Sequence, residues 1–270
     1  MFRSKWAWAG LVIISIFVFG ALAAPWLAPY DPYEINLSQR LAPPSPAHLL
    51  GQDANGTDIL SRLLFGGRIS FKVAFAVVLC SGSIGVALGM ISGYYGGLLD
   101  MILMRLVDIL LAFPGLLLAI ALVAVLGPHI NNVILALTVM GWVSFARLVR
   151  GQVLSVKQRD YISAARTSGQ SDWRIMLVHI LPNILSPVIV QATFSVAGVI
   201  VAEASLSFLG LGAPPGTPSW GAMLSDGKQV LIEAPHVSIF PGLAIMLVVL
   251  AINFLGDGLR DRFDPRTERS

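Results

Sequence analysis

The chain has 270 residues, of which 56% are hydrophobic and only 12% carry a charge. A water-soluble domain has about a quarter of its residues charged, so this composition excludes an ordinary soluble protein and indicates an all-α membrane protein. The net charge of +3 fits basic cytoplasmic loops, and no nucleic-acid partner is expected. The single cysteine, Cys80, excludes an intramolecular disulfide and a cysteine-based redox or metal motif.

The first predicted span covers residues 6–27, with Arg3 and Lys5 before it and tryptophans at both ends. Interfacial tryptophans are typical of membrane helices. The alternative is a cleaved signal peptide, because residues 21–24 resemble a small-residue cleavage site. The apolar stretch is longer than a signal sequence normally has, which favours an uncleaved helix.

The segment that follows, up to residue 68, is rich in proline and in charges of both signs, which predicts a region outside the membrane. Within it, residues 59–65 are expected to form a short amphipathic helix lying at the membrane interface. Asp58 is the residue type that caps the start of such a helix.

The second predicted span lies between Lys72 and Asp100. Gly85, Gly89 and Gly93 recur in it every four residues. Small residues at that spacing let two membrane helices approach closely, although glycine is also simply common in membrane helices.

The interval between Asp108 and Arg147 contains no charged residue and is too long for one crossing of a bilayer core about 30 Å thick. Residues 127–132 are the turn-like sequence in its middle, so a tight connection is expected there between a third and a fourth span. Pro114 falls inside the third span and should kink it. Two further apolar stretches bring the predicted number of spans to six: residues 184–208 and 237–255.

The basic residues predict the orientation of the spans. If the N-terminus is cytoplasmic, the outer segments hold five of the 18 basic residues: Arg40, Arg62, Arg68, Lys72 and Lys228. The inner segments then hold the others: Arg3, Lys5, Arg105, Arg147, Arg150, Lys157, Arg159, Arg166, Arg174, Arg260, Arg262, Arg266 and Arg269. This bias predicts that both termini are cytoplasmic, together with the long basic loop at about residues 154–183.

That loop has the sequence of a helical hairpin outside the bilayer. Residues 160–168 predict a short helix stopped by Gly169, which can adopt the left-handed conformation at a helix end. Ser171 and Asp172 can start a second helix, expected to continue until residues 181–182. Such a hairpin suits docking into a groove on another protein, and on spacing alone an interfacial helix pair held by anionic lipid is an equal alternative.

The loop resembles the EAA loop of ABC importer permeases, in which Glu-Ala-Ala is followed after three residues by Gly and then by a spacer ending near Ile-x-Leu-Pro. The matching positions are Ala164, Ala165, Gly169, Leu181 and Pro182. Ser163 replaces the glutamate, and His179 occupies the isoleucine position. The resemblance implies that the loop couples to an ATPase, with contacts that also include Asp160, Tyr161, Ser163 and Arg166.

Other motifs resemble the C-type permease subunit of the dipeptide, oligopeptide and nickel transporter family. They occur in the family's order at residues 53–63, 203–212, 218–221, 253–261 and 264–265. The resemblance implies a type I ABC importer permease fold with six transmembrane helices. The implied division is an N-terminal helix with its extracytoplasmic segment (1–68), a five-helix permease core (69–256) and a cytoplasmic tail (257–270).

The same resemblance implies partners in a bacterial inner membrane: a homologous B-type permease, an extracytoplasmic solute-binding protein, and two cytoplasmic ATPases that bind ATP and Mg²⁺. The chain has no Gly-x-x-x-x-Gly-Lys-Ser/Thr loop, so it is expected to be a transport subunit and not an enzyme. Peptides are the expected substrate. Importers of nickel chelates or glutathione would use the same scaffold, and the four scattered histidines indicate no metal cluster.

Ionisable residues near the membrane are candidates for function. Arg105 and Asp108 are spaced to pair on one helical face, and Glu203, with Ser207 near it, lies where a peptide amine or a cation could enter. A structural bond of Glu203 to neighbouring backbone or to a partner subunit is the alternative. Arg147 and Arg150 are expected at the cytoplasmic interface. A secondary transporter would also explain six spans, whereas a membrane-embedded enzyme lacks a catalytic motif.

Overall fold

A computed structural model describes residues 5–214 and 216–263, and over these residues the chain is a bundle of α-helices. Helix α1 (Lys5–Leu22) ends at a break, after which the short α2 (Ala24–Leu27) carries a proline in its first turn. Proline fits there because the first turn of a helix leaves its N–H groups without helical partners. The next segment contains one 3₁₀ turn (Leu37–Gln39) and an isolated antiparallel bridge between Gln52 and Asp58.

The second span is one continuous helix, α3 (Ile59–Tyr95). The Asp58 side chain accepts a hydrogen bond from the Ser61 N–H, so the predicted N-cap is confirmed. The separate interfacial helix predicted over residues 59–65 is wrong. Those residues are the first turns of α3, because nothing after them interrupts the helical hydrogen bonds before Gly96.

Helix α4 (Gly97–Leu111) and helix α5 (Gly115–Leu126) meet at an angle of 86°, the geometry of a broken span or of a re-entrant loop. Pro114 stands immediately before α5, so the kink predicted there is confirmed as a complete break. The predicted tight connection is also confirmed, since Gly127 has φ +94° and α6 (Ile130–Val156) begins three residues later.

The remaining α-helices in the described part of the chain are α7 (Asp160–Thr167), α8 (Asp172–Arg174), α9 (Leu181–Phe208), α10 (Trp220–Gly227) and α11 (His236–Phe263). Within residues 5–214 and 216–263, five helical stretches are long and apolar enough to cross a membrane, and the bent pair α4–α5 is a sixth when the pair is counted as one span. Six spans agree with the sequence prediction. The predicted motif at residues 264–265, together with Arg3, Arg266 and Arg269, lies outside the described residues.

Helices α3 and α6 are in contact at the centre of the bundle, and the glycines spaced four residues apart in α3 lie at this contact. A Cβ atom on Gly85 would lie 2.5 Å from the carbonyl oxygen of Trp142, and one on Gly89 would lie 2.5 Å from that of Ala146. Only a residue without a side chain allows this approach. The predicted close packing is therefore confirmed.

Candidate functional site

The candidate site is the hairpin formed by α7, α8 and the turn between them (residues 160–174), which we call the coupling hairpin after the role that the EAA resemblance implies. Gly169 has φ +75°, its N–H donates to the carbonyl of Arg166, and the Gln170 N–H donates to the carbonyl of Ala165. These are the two hydrogen bonds of a Schellman cap, which needs a left-handed residue at the position of Gly169. The prediction that α7 stops at Gly169 is confirmed.

The inner face of the coupling hairpin is fixed to the membrane helices by apolar packing. Ile162 and Ala165 of α7 are buried, and Ala165 is only 6% exposed. They belong to a cluster with residues of α3, α6 and α9, namely Met90, Tyr94, Val149, Val153, Val156 and Ile184, and with Ile175, Met176 and Ile180. The hairpin thus shares one buried apolar cluster with three membrane helices.

Polar contacts hold the same junction. The Tyr94 hydroxyl donates to Asp172 Oδ1 over 2.6 Å, and the Arg166 guanidinium lies 4.9 Å from the centre of the Tyr94 ring. The Lys157 ammonium donates to the carbonyl of Gly93 over 2.7 Å, near the end of α3 where carbonyls lack helical partners. These contacts fix the direction in which the coupling hairpin points.

The outer face of the coupling hairpin is polar and accessible. Among the residues implied by the EAA resemblance, six are exposed on it: Asp160, Tyr161, Ser163, Ala164, Arg166 and Gly169. Trp173, which that set did not include, is 59% exposed beside them. Aromatic side chains are enriched in binding surfaces, and no signal in the sequence singled out Trp173.

The second helix of the hairpin does not end at residues 181–182, so that prediction is wrong. After α8 the chain continues as a π-helical segment (Ile175–Ile180) directly into α9. Pro182 is tolerated because it lies in the first turn of α9, beyond the π-helical hydrogen bonds. Leu181 and Pro182 therefore belong to the continuous helix that joins the coupling hairpin to the membrane-spanning part of α9.

Ion pairs tie α4 to α6 on the hairpin side of the bundle. Arg150 makes two hydrogen bonds to the Asp100 carboxylate, of 2.5 and 2.6 Å, and the Ser92 hydroxyl donates to the same carboxylate. Asp108 pairs with Arg147 over 3.4 Å in an exposed contact. The predicted pair between Arg105 and Asp108 is wrong, because the carboxylate of Asp108 is directed towards α6.

Comparisons with known proteins identify the family. Residues 85–269 match the model of the binding-protein-dependent transport system inner membrane component, and residues 1–44 match the N-terminal transmembrane domain of oligopeptide transport permease C. The chain belongs to this family of ABC importer permeases.

Relatives match this permease over nearly its whole length. It is 46% identical to the dipeptide transport system permease protein DppC of Alkalihalophilus pseudofirmus, over 98% of this chain and 87% of the relative. It is 48% identical to the glutathione transport system permease protein GsiD of Pectobacterium atrosepticum, over 96% and 86%. A structure of the MetNI methionine ABC transporter, inward facing, has a TM-score of 0.60 at 20% identity, covering 74% of this chain and 95% of that one.

The permease has the type I ABC importer fold, is a multi-pass protein of the bacterial inner membrane, and is a transport subunit without an ATPase site of its own.

Glu203, predicted to lie in the substrate pathway, is 2% exposed in α9. Its carboxylate accepts hydrogen bonds from the Ser70 hydroxyl of α3 over 2.9 Å and from the Ser207 hydroxyl over 2.7 Å. Its partners are thus side chains of this chain, and a role of Glu203 and Ser207 in the pathway stays a prediction.

The permease also has a polar cap at the end of the bundle opposite the hairpin. The buried Arg62 of α3 pairs with Asp53, whose carboxylate also accepts the Thr57 N–H and hydroxyl. Arg62 reaches Asp226 of α10 over 3.5 Å, and burial raises the pKa of Asp226 above its ordinary value of 3.8. Residues 53–58 were singled out in the sequence only through a resemblance. Their contact with α10 could not be predicted, because Asp226 is 164 positions away from Arg62.

Proposed function

We propose that the permease forms one half of the translocation pathway for di- or oligopeptides and is driven by a separate ATPase that holds the coupling hairpin. The observation that carries the proposal is the division of the hairpin into a buried inner face and a polar, accessible outer face. A helix pair transmits force only if both sides hold it. Peptide is the favoured substrate because DppC relatives are named as dipeptide permeases.

In this mechanism two ATPase subunits, which carry the ATP and Mg²⁺, close on nucleotide binding and displace the coupling hairpin. The displacement favours an outward-open arrangement of this chain and a homologous B-type permease. Substrate then enters from an extracytoplasmic solute-binding protein. Alternating access thus follows from a shift between two states, and ATP supplies the difference in free energy between them.

Glutathione is the second candidate substrate, because the GsiD relatives are as similar to this chain as the DppC relatives are. A nickel chelate is less well supported, since the described residues contain no group of metal-ligating side chains. The discriminating measurement is binding by the partner solute-binding protein, tested with dipeptides, oligopeptides, glutathione and metal chelates. Binding of glutathione alone would overturn the peptide assignment.

Coupling is tested at Gly169, whose Cβ would enter open space. Asp and Asn both tolerate the left-handed conformation, so Gly169→Asp and Gly169→Asn differ mainly by one charge on the outer face. We expect Gly169→Asp to abolish uptake while the assembled permease still inserts, and Gly169→Asn to keep most activity. Normal coupling of ATP hydrolysis to uptake in Gly169→Asp would refute the assignment.

Ala164 and Ala165 provide a matched pair for the same test. Ala164 is exposed, whereas Ala165 is buried against α9 and its neighbours. Ala164→Asp should therefore uncouple the ATPase without lowering stability. Ala165→Asp should also abolish transport, but it places a charge in an apolar cluster and should reduce the amount of folded protein as well.

A further inference from the structure

An apolar groove runs along the outside of the bundle between α1, α3, α9 and α11. Its volume is about 810 Å³, and its walls include Ile14, Val18, Phe71, Phe75, Val196 and Leu255. This volume is within the usual range of ligand sites, about 300–1,000 Å³. The groove is open along one side.

Two cations, Arg68 and Lys72, stand at one end of this groove. They are four residues apart on α3 and therefore on one face of the helix. Both are exposed, and neither forms an ion pair with any residue in the described part of the chain. The Arg68 guanidinium lies 5.8 Å from the centre of the Phe65 ring, which leaves its hydrogen-bond donors available.

The depth of the two cations follows from the length of α3. Gly93 receives the Lys157 ammonium and so marks the membrane surface on the hairpin side. Lys72 is 21 residues away, which is about 32 Å at 1.5 Å per residue and matches a hydrocarbon core of about 30 Å. The two cations therefore lie at the opposite membrane surface, at headgroup level.

The groove extends from that surface into the bilayer. Its wall on α3 runs from Arg68 to Val78, ten residues or about 15 Å, which is about the depth of one leaflet. A ligand that fills it needs a negative group at the surface and an apolar part about one leaflet long. A transported peptide does not fit this description, because Thr193 is the one polar, uncharged side chain among the wall residues.

We propose that the groove is a binding site for an anionic phospholipid of the leaflet opposite the coupling hairpin. The phosphodiester lies between Arg68 and Lys72, and an acyl chain lies along Phe75 and Val196. A helix of another protein would bury the two cations and would have to supply an anionic side chain to them at the cost of their desolvation, whereas a lipid phosphate meets both while they stay hydrated.

The test uses the complete importer, reconstituted in a mixture of phosphatidylglycerol and phosphatidylethanolamine, and counts the phosphatidylglycerol that stays bound after extraction by native mass spectrometry. Each cation near a membrane surface raises the affinity for anionic lipid roughly fivefold. The double variant Arg68→Gln/Lys72→Gln should therefore retain about 25-fold less of this lipid. The control Arg40→Gln/Lys228→Gln removes two exposed cations outside the groove and should retain as much as the unmodified chain.

A second variant tests the acyl-chain part without changing charge. Ala192 lines the groove, so Ala192→Phe should fill it and lower retention of both anionic and zwitterionic lipid, while the yield of assembled importer stays unchanged.

Equal retention in the double variant and its control would overturn the proposal. So would a photocrosslinker at Phe75 that captures a protein subunit and no lipid, or a loss of peptide uptake in the double variant with lipid retention unchanged.

Discussion

The glycine contact between α3 and α6 gives the sharpest prediction for stability. In Gly85→Ala the new Cβ would lie 2.4 Å from the Cβ of Phe145 and 2.5 Å from the carbonyl oxygen of Trp142, against 3.4 Å or more for an ordinary contact. The two helices must therefore separate by about 1 Å at this point. Backbone atoms cannot rotate away as a side chain can, so the whole contact is disturbed.

The expected loss is about 1–3 kcal/mol, the usual range for adding a methyl group to a closely packed interior. Gly82→Ala is the matched control. It adds the same methyl group one helical turn earlier, where the nearest atom is Phe145 Cε1 at 3.8 Å. Because alanine also favours helix by up to about 1 kcal/mol over glycine, Gly82→Ala should be neutral or slightly stabilising.

The assay is equilibrium unfolding of the reconstituted permease, followed by helical signal as a denaturing detergent is added. Gly85→Ala should unfold at a lower denaturant fraction than both the unmodified chain and Gly82→Ala. If Gly85→Ala and Gly82→Ala had equal stability, the backbone contact would not exist in the membrane, and the packing derived for α3 and α6 would be wrong.

Three further results are expected. Folding raises the pKa of Asp226, so the folded protein binds more protons than the unfolded chain at pH values between 3.8 and the raised pKa. The free energy of unfolding should therefore fall as the pH rises through this interval. Asp226→Asn should flatten this dependence in a thermal-unfolding series. Arg150→Lys should lower the free energy of unfolding by about 1 kcal/mol, because lysine cannot keep both hydrogen bonds to Asp100. In an Asp100→Asn background, chains with Arg150 or with Lys at that position should be equally stable. Glu203→Ala should cost about 1–3 kcal/mol more than Glu203→Gln in the same unfolding assay, since only Gln retains partners for the buried hydroxyls.

Much of the fold could be predicted from local sequence. The six apolar stretches, the proline break and the turn at Gly127 each depend on residues close together in the chain, and each prediction was confirmed. The wrong predictions about the fold concern where helices begin and end. Residues 59–65 have the amphipathic pattern of an interfacial helix, but they are the first turns of α3, because helical hydrogen bonds depend on backbone geometry and not on the position of the membrane surface.

The candidate site was predictable where it depends on capping and unpredictable where it depends on long-range contacts. The ends of the two helices at Gly169 and at Ser171 and Asp172 follow from helix stop and start signals. The contact of Tyr94 with Asp172 joins residues 78 positions apart, and the pairing of Asp108 with Arg147 joins residues 39 apart. The spacing of residues within one helix predicted Arg105 as the ion-pair partner of Asp108. Such spacing gives no information about side chains on a neighbouring helix, where the actual partner lies.

The attachment of the coupling hairpin limits how the proposed mechanism can work. The hairpin shares a buried cluster with α3 and α6 and is continuous with α9, while the glycine contact brings the backbones of α3 and α6 close together. At the far end α3 and α9 are joined again through Ser70 and Glu203. A force on the hairpin therefore reaches all three helices together, and α9 cannot move alone without breaking buried contacts. If the hairpin is the point of attachment proposed above, the motion that opens the pathway lies between this chain and its partner permease, with each acting as a rigid body.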